Sequence, residues 1–403
     1  MIKYIRFNNF YSYLDETEVS FELSKQATVS AYDFTVKTTQ DNIRLNKIMA
    51  VVGANGSGKT QFLKPLSFLT WYICTSAKTF DSDKQIVIQT HILSESEDAI
   101  FHMGFLLKNL ENNFEEYRYE LVINREQIVK ENLYKKSSSQ FSYIFKRSYV
   151  NGVLEYRHNG FIRPSLANDA QKNVSLISYA EIFENEIAKQ IINSLMNNES
   201  NVVAGGRLSQ NANSIVKATK LFNENEKLKK TAEDLLCKFD TGIQEIVIKE
   251  ITALAKDSSE TQEILLPFGI HRTIDGKTFE LNFFQESNGT QSAFNLLSLI
   301  LPVLQNGGIA IIDELDNDLH PHLLQEIFNL FRSEYTNPHN AQLIFTCHTP
   351  EVFNILNKHQ IYLVEKIDQK SEAWRLDEVE GIRNDDNLYA KYMAGAFSAV
   401  PNL

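Results

Sequence analysis

The octapeptide Gly53-Ala54-Asn55-Gly56-Ser57-Gly58-Lys59-Thr60 has the residue types and spacing of a loop that wraps phosphate. Gly56 and Gly58 let the backbone curl until its N–H groups point inward at anionic oxygens. The loop follows an apolar run, Ile48 to Val52, and precedes the helix-like TQFLKPLSFLTWYICT, whose N-terminus adds partial positive charge. In that setting Lys59 reaches the β- and γ-phosphates of a nucleotide, and Thr60 offers its hydroxyl to Mg²⁺. Pro65 conflicts with a continuous helix: it marks a kink one turn in, or the end of a short first helix.

A phosphate loop needs a carboxylate at the end of a neighbouring buried strand to hold its metal. Ile309-Ala310-Ile311-Ile312-Asp313-Glu314 supplies one: Asp313 ends the strand, and Glu314 beside the γ-phosphate takes a proton from attacking water. A second strand, Gln342 to Thr346, ends at Cys347-His348-Thr349. A lone histidine is by default a satisfied structural residue. One helix and one strand beyond Asp313, however, His348 reaches the same sheet edge and is placed to hydrogen-bond the γ-phosphate. Ser287-Asn288-Gly289 opens a further helix, and a Ser-x-Gly turn at a helix N-terminus is an anion site; its plainer reading is a helix cap. His320-Pro321-His322 has no cysteine or carboxylate constellation at ligand spacing, so Pro321 reads as a helix start rather than part of a metal site.

Two α/β stretches flank a helical, more polar middle. In the first, MIKYIRFNNF, FHMGFLL and YRYELVI alternate with period 2 and predict antiparallel strands. In the last, Asp275-Gly276 between alternating runs predicts a hairpin, and buried strands separated by amphipathic helices predict a parallel sheet. The expected fold is α/β, a mixed or parallel phosphate-loop sheet with an antiparallel N-terminal lobe. Residues 1–160 and 263–403 form its halves, and 161–262 form an inserted helical hairpin arm. The longer arm, from Ile215 to Leu236, is expected to run as one helix, with a polar, glycine-containing stretch from Asn197 to Asn213 before it. Lys217, Lys220, Lys227, Lys229 and Lys230 on that arm read as a solvated face or as a contact for a partner or a phosphate backbone.

Composition narrows the function classes. The chain has 403 residues, 51 acidic against 40 basic, for a net charge of −11, which excludes a basic nucleic-acid coat but not a local patch. Its 43% hydrophobic content predicts a substantial core. Cys74, Cys237 and Cys347 lie far apart and fit a reducing cytoplasm. The apolar runs fall far short of the ~20 residues that span a bilayer, so no membrane association is expected.

Together these residues resemble the ATP-binding head of the ABC superfamily, in the branch shared with chromosome-maintenance and recombination-repair ATPases. Glu286-Ser287-Asn288-Gly289-Thr290-Gln291 is similar to the ABC signature motif, whose serine and glycine contact ATP bound to the opposite subunit. More narrowly, the chain resembles compact prokaryotic ABC-head proteins known as AAA family ATPases, many of them encoded in anti-phage defence loci. The Asn9-Phe10 opening, the ESxGT form of the signature and Asp318-Leu319-His320-Pro321 carry that likeness, as does the ending Tyr392-Met393-Ala394-Gly395-Ala396-Phe397-Ser398-Ala399-Val400-Pro401, expected to pack the C-terminus onto the head.

The resemblance implies an ATPase using ATP and Mg²⁺ in a head-to-head homodimer or a higher even-numbered homo-oligomer. Each site would take Gly53 to Thr60, Asp313, Glu314 and His348 from one chain and Ser287 with Gly289 from the other. Lys59, Glu314 and His348 would carry the chemistry. The functional expectation is the sensor or regulatory core of a defence or toxin-controlling module, acting on a separate effector such as a nuclease or toxin. A DNA-repair or chromosome-handling clamp is the alternative. Two departures stand out. Tyr11 occupies the place where such heads often carry arginine or lysine, and for the glutamine that couples metal site to lobe boundary, Gln89 is chosen over Gln85.

Overall fold

Ile48–Val52 is the strand on which the molecule is built: five apolar residues, all buried. Its side chains alternate between two hydrophobic cores, Met49 and Val51 entering one, and Ile48, Ala50 and Val52 the other. The computed structural model describes the chain except for residues 82, 110, 240–241, 255–260, 384–385 and 400–403. Around Ile48–Val52 lies a six-stranded sheet in the order Glu199–Ser200, Ile309–Ile312, Gln342–Thr346, Ile48–Val52, Ile361–Ile367, Lys370–Arg375. The first five are parallel and the last is antiparallel.

The register lines up the chemically active ends. Ile312 pairs with Phe345, which pairs with Ala50, so Gly53, Asp313 and Cys347-His348 all leave the sheet at one edge. One expectation is corrected: the Asp313 strand is not the direct neighbour of the phosphate-loop strand. Gln342–Thr346 lies between them, buried along its whole length, which only an interior position provides.

Beside this sheet stands an antiparallel lobe of seven strands. Its order is Val153–His158, Phe141–Val150, Ile128–Lys136, Phe114–Ile123, Ala99–Lys108, Ile2–Asn8, Thr17–Ser20. The predicted fold class therefore holds. Asp275-Gly276 turns between Thr261–Arg272 and Thr278–Asn282 as expected, with Gly276 at φ 85°. The phosphate-loop helix, Lys59–Thr79, runs through Pro65 without ending.

The inserted arm is the larger correction: it is not helical throughout, since Ile243–Leu254 is a strand paired antiparallel with Thr261–Arg272. Helices Leu176–Ile182 and Glu186–Leu195 pack onto the phosphate-loop helix, where Ala77 N–H donates to Ser178 Oγ at 3.0 Å and Tyr72 Oη to the Asn173 carbonyl at 2.9 Å. The single long helix is two, Ala212–Glu224 and Glu226–Lys238, because the Asn225 side chain accepts the Leu228 N–H and starts a new helix. Both lie on helix Asn288–Asn306, where Phe222 meets Phe294 with ring centroids 5.1 Å apart. Amphipathic faces this apolar bury against the head rather than project into water. Of the closing motif, Tyr392 stacks on Phe353 at 4.4 Å, and Phe397 and Ala399 are buried in the second core; Val400 and Pro401 lie outside the described residues. Among the described residues, no helix is long and apolar enough to cross a membrane.

His359, in the turn Lys358–Gln360 that feeds strand Ile361–Ile367, is buried, and burial lowers its pKa from 6.5 to about 4 despite Asp377 nearby. Protonation is then easier in the unfolded chain. Stability should fall as pH drops from 6.5 toward 4, by up to about 3 kcal/mol from this group. His359→Gln should flatten that part of a urea-denaturation pH series; an unchanged slope would count against the assignment.

Candidate functional site: a phosphate cradle beside a clamped carboxylate

Gly53 to Thr60 forms the turn the sequence predicts, opening at the end of Ile48–Val52 and closing as the first residues of helix Lys59–Thr79. Gly58 has φ 111°, a left-handed backbone that favours glycine, and a side chain there would strike Ser371. Gly53 is held to glycine by space, since a Cβ would come within 2.1 Å of the Val364 carbonyl. The Ser371 hydroxyl donates to the Ser57 carbonyl at 2.6 Å and pins the loop from the sheet's antiparallel edge. The Lys59 ammonium lies back over its own loop, donating to the Gly53 and Ala54 carbonyls at 2.9 and 3.1 Å. Burial lowers its pKa, with Asp313 pulling the other way. Asn55, Gly56, Gly58, Lys59, Thr60, Gln61, Asp313, Glu314, His348 and Lys366 line a cleft of about 470 Å³.

Asp313 is clamped from every side. Its Oδ2 accepts the Thr60 hydroxyl at 2.8 Å and its Oδ1 the Thr346 hydroxyl at 2.6 Å. Its backbone N–H donates to Asn201 Oδ1 at 2.7 Å, and its carbonyl accepts Asn201 Nδ2 at 3.0 Å. Thr60 and Asp313 thus present a hydroxyl and a carboxylate oxygen side by side at the lip of the cradle. Hard oxygen donors so placed suit Mg²⁺, which is usually held by one or two carboxylates together with substrate phosphates.

Glu314 follows in a left-handed backbone, φ 53°, its N–H donating to the Thr346 hydroxyl at 2.7 Å. That kink turns its carboxylate into the cleft. Arg207 Nη1 lies 2.6 Å from Oε2, and His348 Nε2 lies 3.9 Å from Oε1. The His348 backbone is itself fixed, donating to Asp316 Oδ2 at 2.9 Å.

Other predicted residues lie elsewhere. Ser287 caps helix Asn288–Asn306, accepting the Thr290 N–H at 3.2 Å, and Gly289 packs against the Asp318 carbonyl. Neither lines the cleft of its own chain. Gln89 is exposed, and among the described residues its carbonyl alone is engaged, by Tyr11 N–H at 2.9 Å; the glutamine among the cleft-lining residues is Gln61, whose side chain accepts Ser12 N–H at 3.1 Å. The Tyr11 ring lies beneath the Lys64 ammonium at 3.5 Å, and both side chains donate to the Ala204 carbonyl at 2.8 Å. Burial brings the Lys64 pKa down to about 8.

Sequence reasoning missed Thr346, Asn201, Arg207 and Lys366. Thr346 had a signal, a hydroxyl ending an otherwise apolar strand. Asn201 and Arg207 sit in the polar, glycine-containing stretch from Asn197 to Asn213, to which sequence reasoning assigns no role.

A phosphate loop, an aligned Asp-Glu pair and a histidine at one edge of a parallel sheet define a P-loop nucleotide-binding protein. Residues 48–354 match the family described as "AAA domain, putative AbiEii toxin, Type IV TA system", and the chain belongs to that family. It is 27% identical over 138 residues to the Retron Vc95 probable ATPase of Vibrio cholerae serotype O1 biovar El Tor; the match takes in 32% of this chain and about a quarter, 26%, of that relative. Solved structures similar to it include an Smc head domain with a coiled coil and joint from Pyrococcus yayanosii (TM-score 0.43, 11% identity, 98% of this chain and 99% of that one). The SMC head domain from Thermotoga maritima is another (TM-score 0.37, 12% identity, 93% and 98%).

The clamp makes a stability prediction. Thr346→Val keeps the side-chain shape but leaves Asp313 Oδ1 and the Glu314 N–H short of a partner. It should cost about 1–3 kcal/mol in urea denaturation; wild-type stability would mean the network is not formed in solution.

Proposed function

We propose that this protein is an ABC-type ATPase that binds and hydrolyses ATP with Mg²⁺ between two head-to-head copies of the chain. The observation that carries the reading is the 2.8 Å contact of Thr60 with Asp313 at the mouth of the phosphate loop, with Glu314 and His348 beside it. Backbone N–H groups of Gly53 to Thr60 and the Lys59 ammonium hold the phosphates. Thr60 and Asp313 would hold Mg²⁺, which when bound would supply positive charge against the phosphates. Glu314 takes the proton of the attacking water, and His348 hydrogen-bonds the γ-phosphate. Ser287 and Gly289 serve the partner's ATP, which accords with their lying outside the cleft of their own chain. Residues 1–160 and 263–403 make the head, with 161–262 as its insert.

In this reading ATP closes the dimer and hydrolysis opens it, giving a cytoplasmic two-state core that a separate effector, a nuclease or toxin, senses. Family membership and the likeness to a retron ATPase support a role in anti-phage defence or toxin control. The lysine cluster does not favour the DNA clamp. Lys220, Lys229 and Lys230 each face an acidic partner on their own helix, so much of that charge is balanced locally.

Lys59→Ala should abolish binding of a fluorescent ATP analogue. Glu314→Gln should bind it normally, lose at least about a hundredfold in hydrolysis, and accumulate as an ATP-dependent dimer in light scattering. Hydrolysis by Glu314→Gln at the wild-type rate would remove Glu314 as the base.

A further inference from the structure

The segment Glu199–Leu208 is a strap fastened alongside the nucleotide site, against Asp313 and Glu314. Glu199–Ser200 pairs in parallel with Ala310 and Ile311, extending the sheet by one strand beyond the Asp313 strand. Asn201 then grips the Asp313 backbone by two hydrogen bonds. Val202–Val203 and Gly206–Arg207 form a tight hairpin. Its Ala204 carbonyl accepts hydrogen bonds from Tyr11 and Lys64, and Ser67 meets Ser200 hydroxyl to hydroxyl at 2.8 Å. Lys64 and Ser67 belong to the phosphate-loop helix, so the strap is tied at once to that helix and to the carboxylate strand. The hairpin reverses at Ala204-Gly205; Gly206, at φ 116°, opens the return strand, and the next residue is Arg207, whose guanidinium ends on Glu314 Oε2 at 2.6 Å.

A partly exposed ion pair contributes about 0–1 kcal/mol, which does not account for so many hydrogen bonds fixing its backbone. Phosphoryl transfer does. The transferring group spreads negative charge over its equatorial oxygens, and catalysis depends on cations already held where that charge develops. Guanidinium suits this role because its planar fork spans two oxygens of one phosphate as it does two of one carboxylate. While Arg207 occupies Glu314, one carboxylate oxygen is engaged and unavailable as a base.

Resting on the ATPase reading above, we propose that Arg207 is a catalytic arginine acting within its own chain. On ATP loading its guanidinium exchanges the Glu314 carboxylate for an equatorial oxygen of the γ-phosphoryl group. The exchange frees Glu314 to take the water proton as the water oxygen bonds phosphorus and the bond to the ADP oxygen breaks. Arg207 stabilises the charge on the moving group, and the strap keeps its backbone in place throughout.

The test uses the full chain with Arg207→Ala and Arg207→Lys, with Lys59→Ala as control. Arg207→Ala should lower single-turnover hydrolysis at least about a hundredfold while the Kd for a fluorescent ATP analogue stays within about threefold. Affinity for ADP–aluminium fluoride, a transition-state mimic, should fall in step with the rate. Arg207→Lys, which keeps the charge, should recover part of both losses. A rate for Arg207→Ala equal to or above wild type overturns the proposal. So does a loss that Arg207→Lys leaves unrepaired while the melting temperature drops, because that marks a structural tie. If wild-type protein hydrolyses no ATP, or Lys59→Ala binds it unchanged, the ATPase reading fails and takes this proposal with it. Wild-type hydrolysis with Arg207→Ala unaffected sinks Arg207 alone.

Discussion

The Asp313 carboxylate is the point on which the rest of the site depends. One oxygen takes a hydroxyl from Thr60, 253 positions earlier, and the other a hydroxyl from Thr346, 33 positions later. A carboxylate placed by two short hydrogen bonds from different elements has little freedom left, and each bond constrains the element that supplies it. The Thr60 bond fixes where the phosphate-loop helix begins relative to the sheet edge. The Thr346 bond requires the histidine strand to lie next to the Asp313 strand in the observed register, because a shift by one residue would turn the hydroxyl to the opposite face.

That register can be held so tightly because the sheet is buried on both faces. Ile48–Val52 sends alternate side chains into two separate cores, one shared with the antiparallel lobe and the phosphate-loop helix, the other with helices Asn288–Asn306 and Pro321–Arg332. Sliding the strand would misplace apolar groups on both sides at once. The same burial acts on charge. Lys59, drawn out of water, has its pKa lowered, and its ammonium is satisfied by loop carbonyls rather than by solvent. A cation so poorly hydrated meets an incoming phosphate with little desolvation left to overcome.

Chain-local placement was legible in the sequence; chain-distant docking was not. The phosphate loop, the Asp313-Glu314 strand end and His348 each follow from a few adjacent residues, because a strand that stops at a polar pair must expose that pair at a sheet edge. The Asp275-Gly276 turn was legible for the same reason. Strand order was only partly so: nothing local in Gln342–Thr346 says that it enters between two strands already named. The insert was misread because amphipathic periodicity reports that a helix has an apolar face, but not what covers it. Here the cover is the head itself, through contacts such as Phe222 on Phe294. Asn225, a single polar residue in an otherwise unbroken pattern, divided one expected helix into two by capping the second.

The strap connects these two kinds of feature. Glu199–Ser200 occupies what would otherwise be an open edge of the parallel sheet, where unpaired backbone groups invite unwanted pairing. A short edge strand suffices for that, yet the chain continues past it along the site before helix Ala212–Glu224 begins, four residues after Leu208. The segment that carries Arg207 leads into that helix, which packs on helix Asn288–Asn306, and Ser287 caps the latter. Rigid elements joined in this way move together or strain the loop between them. A continuous path of contacts through the insert therefore joins the Arg207–Glu314 pair to the Ser287–Gly289 turn, in addition to the path through the sheet.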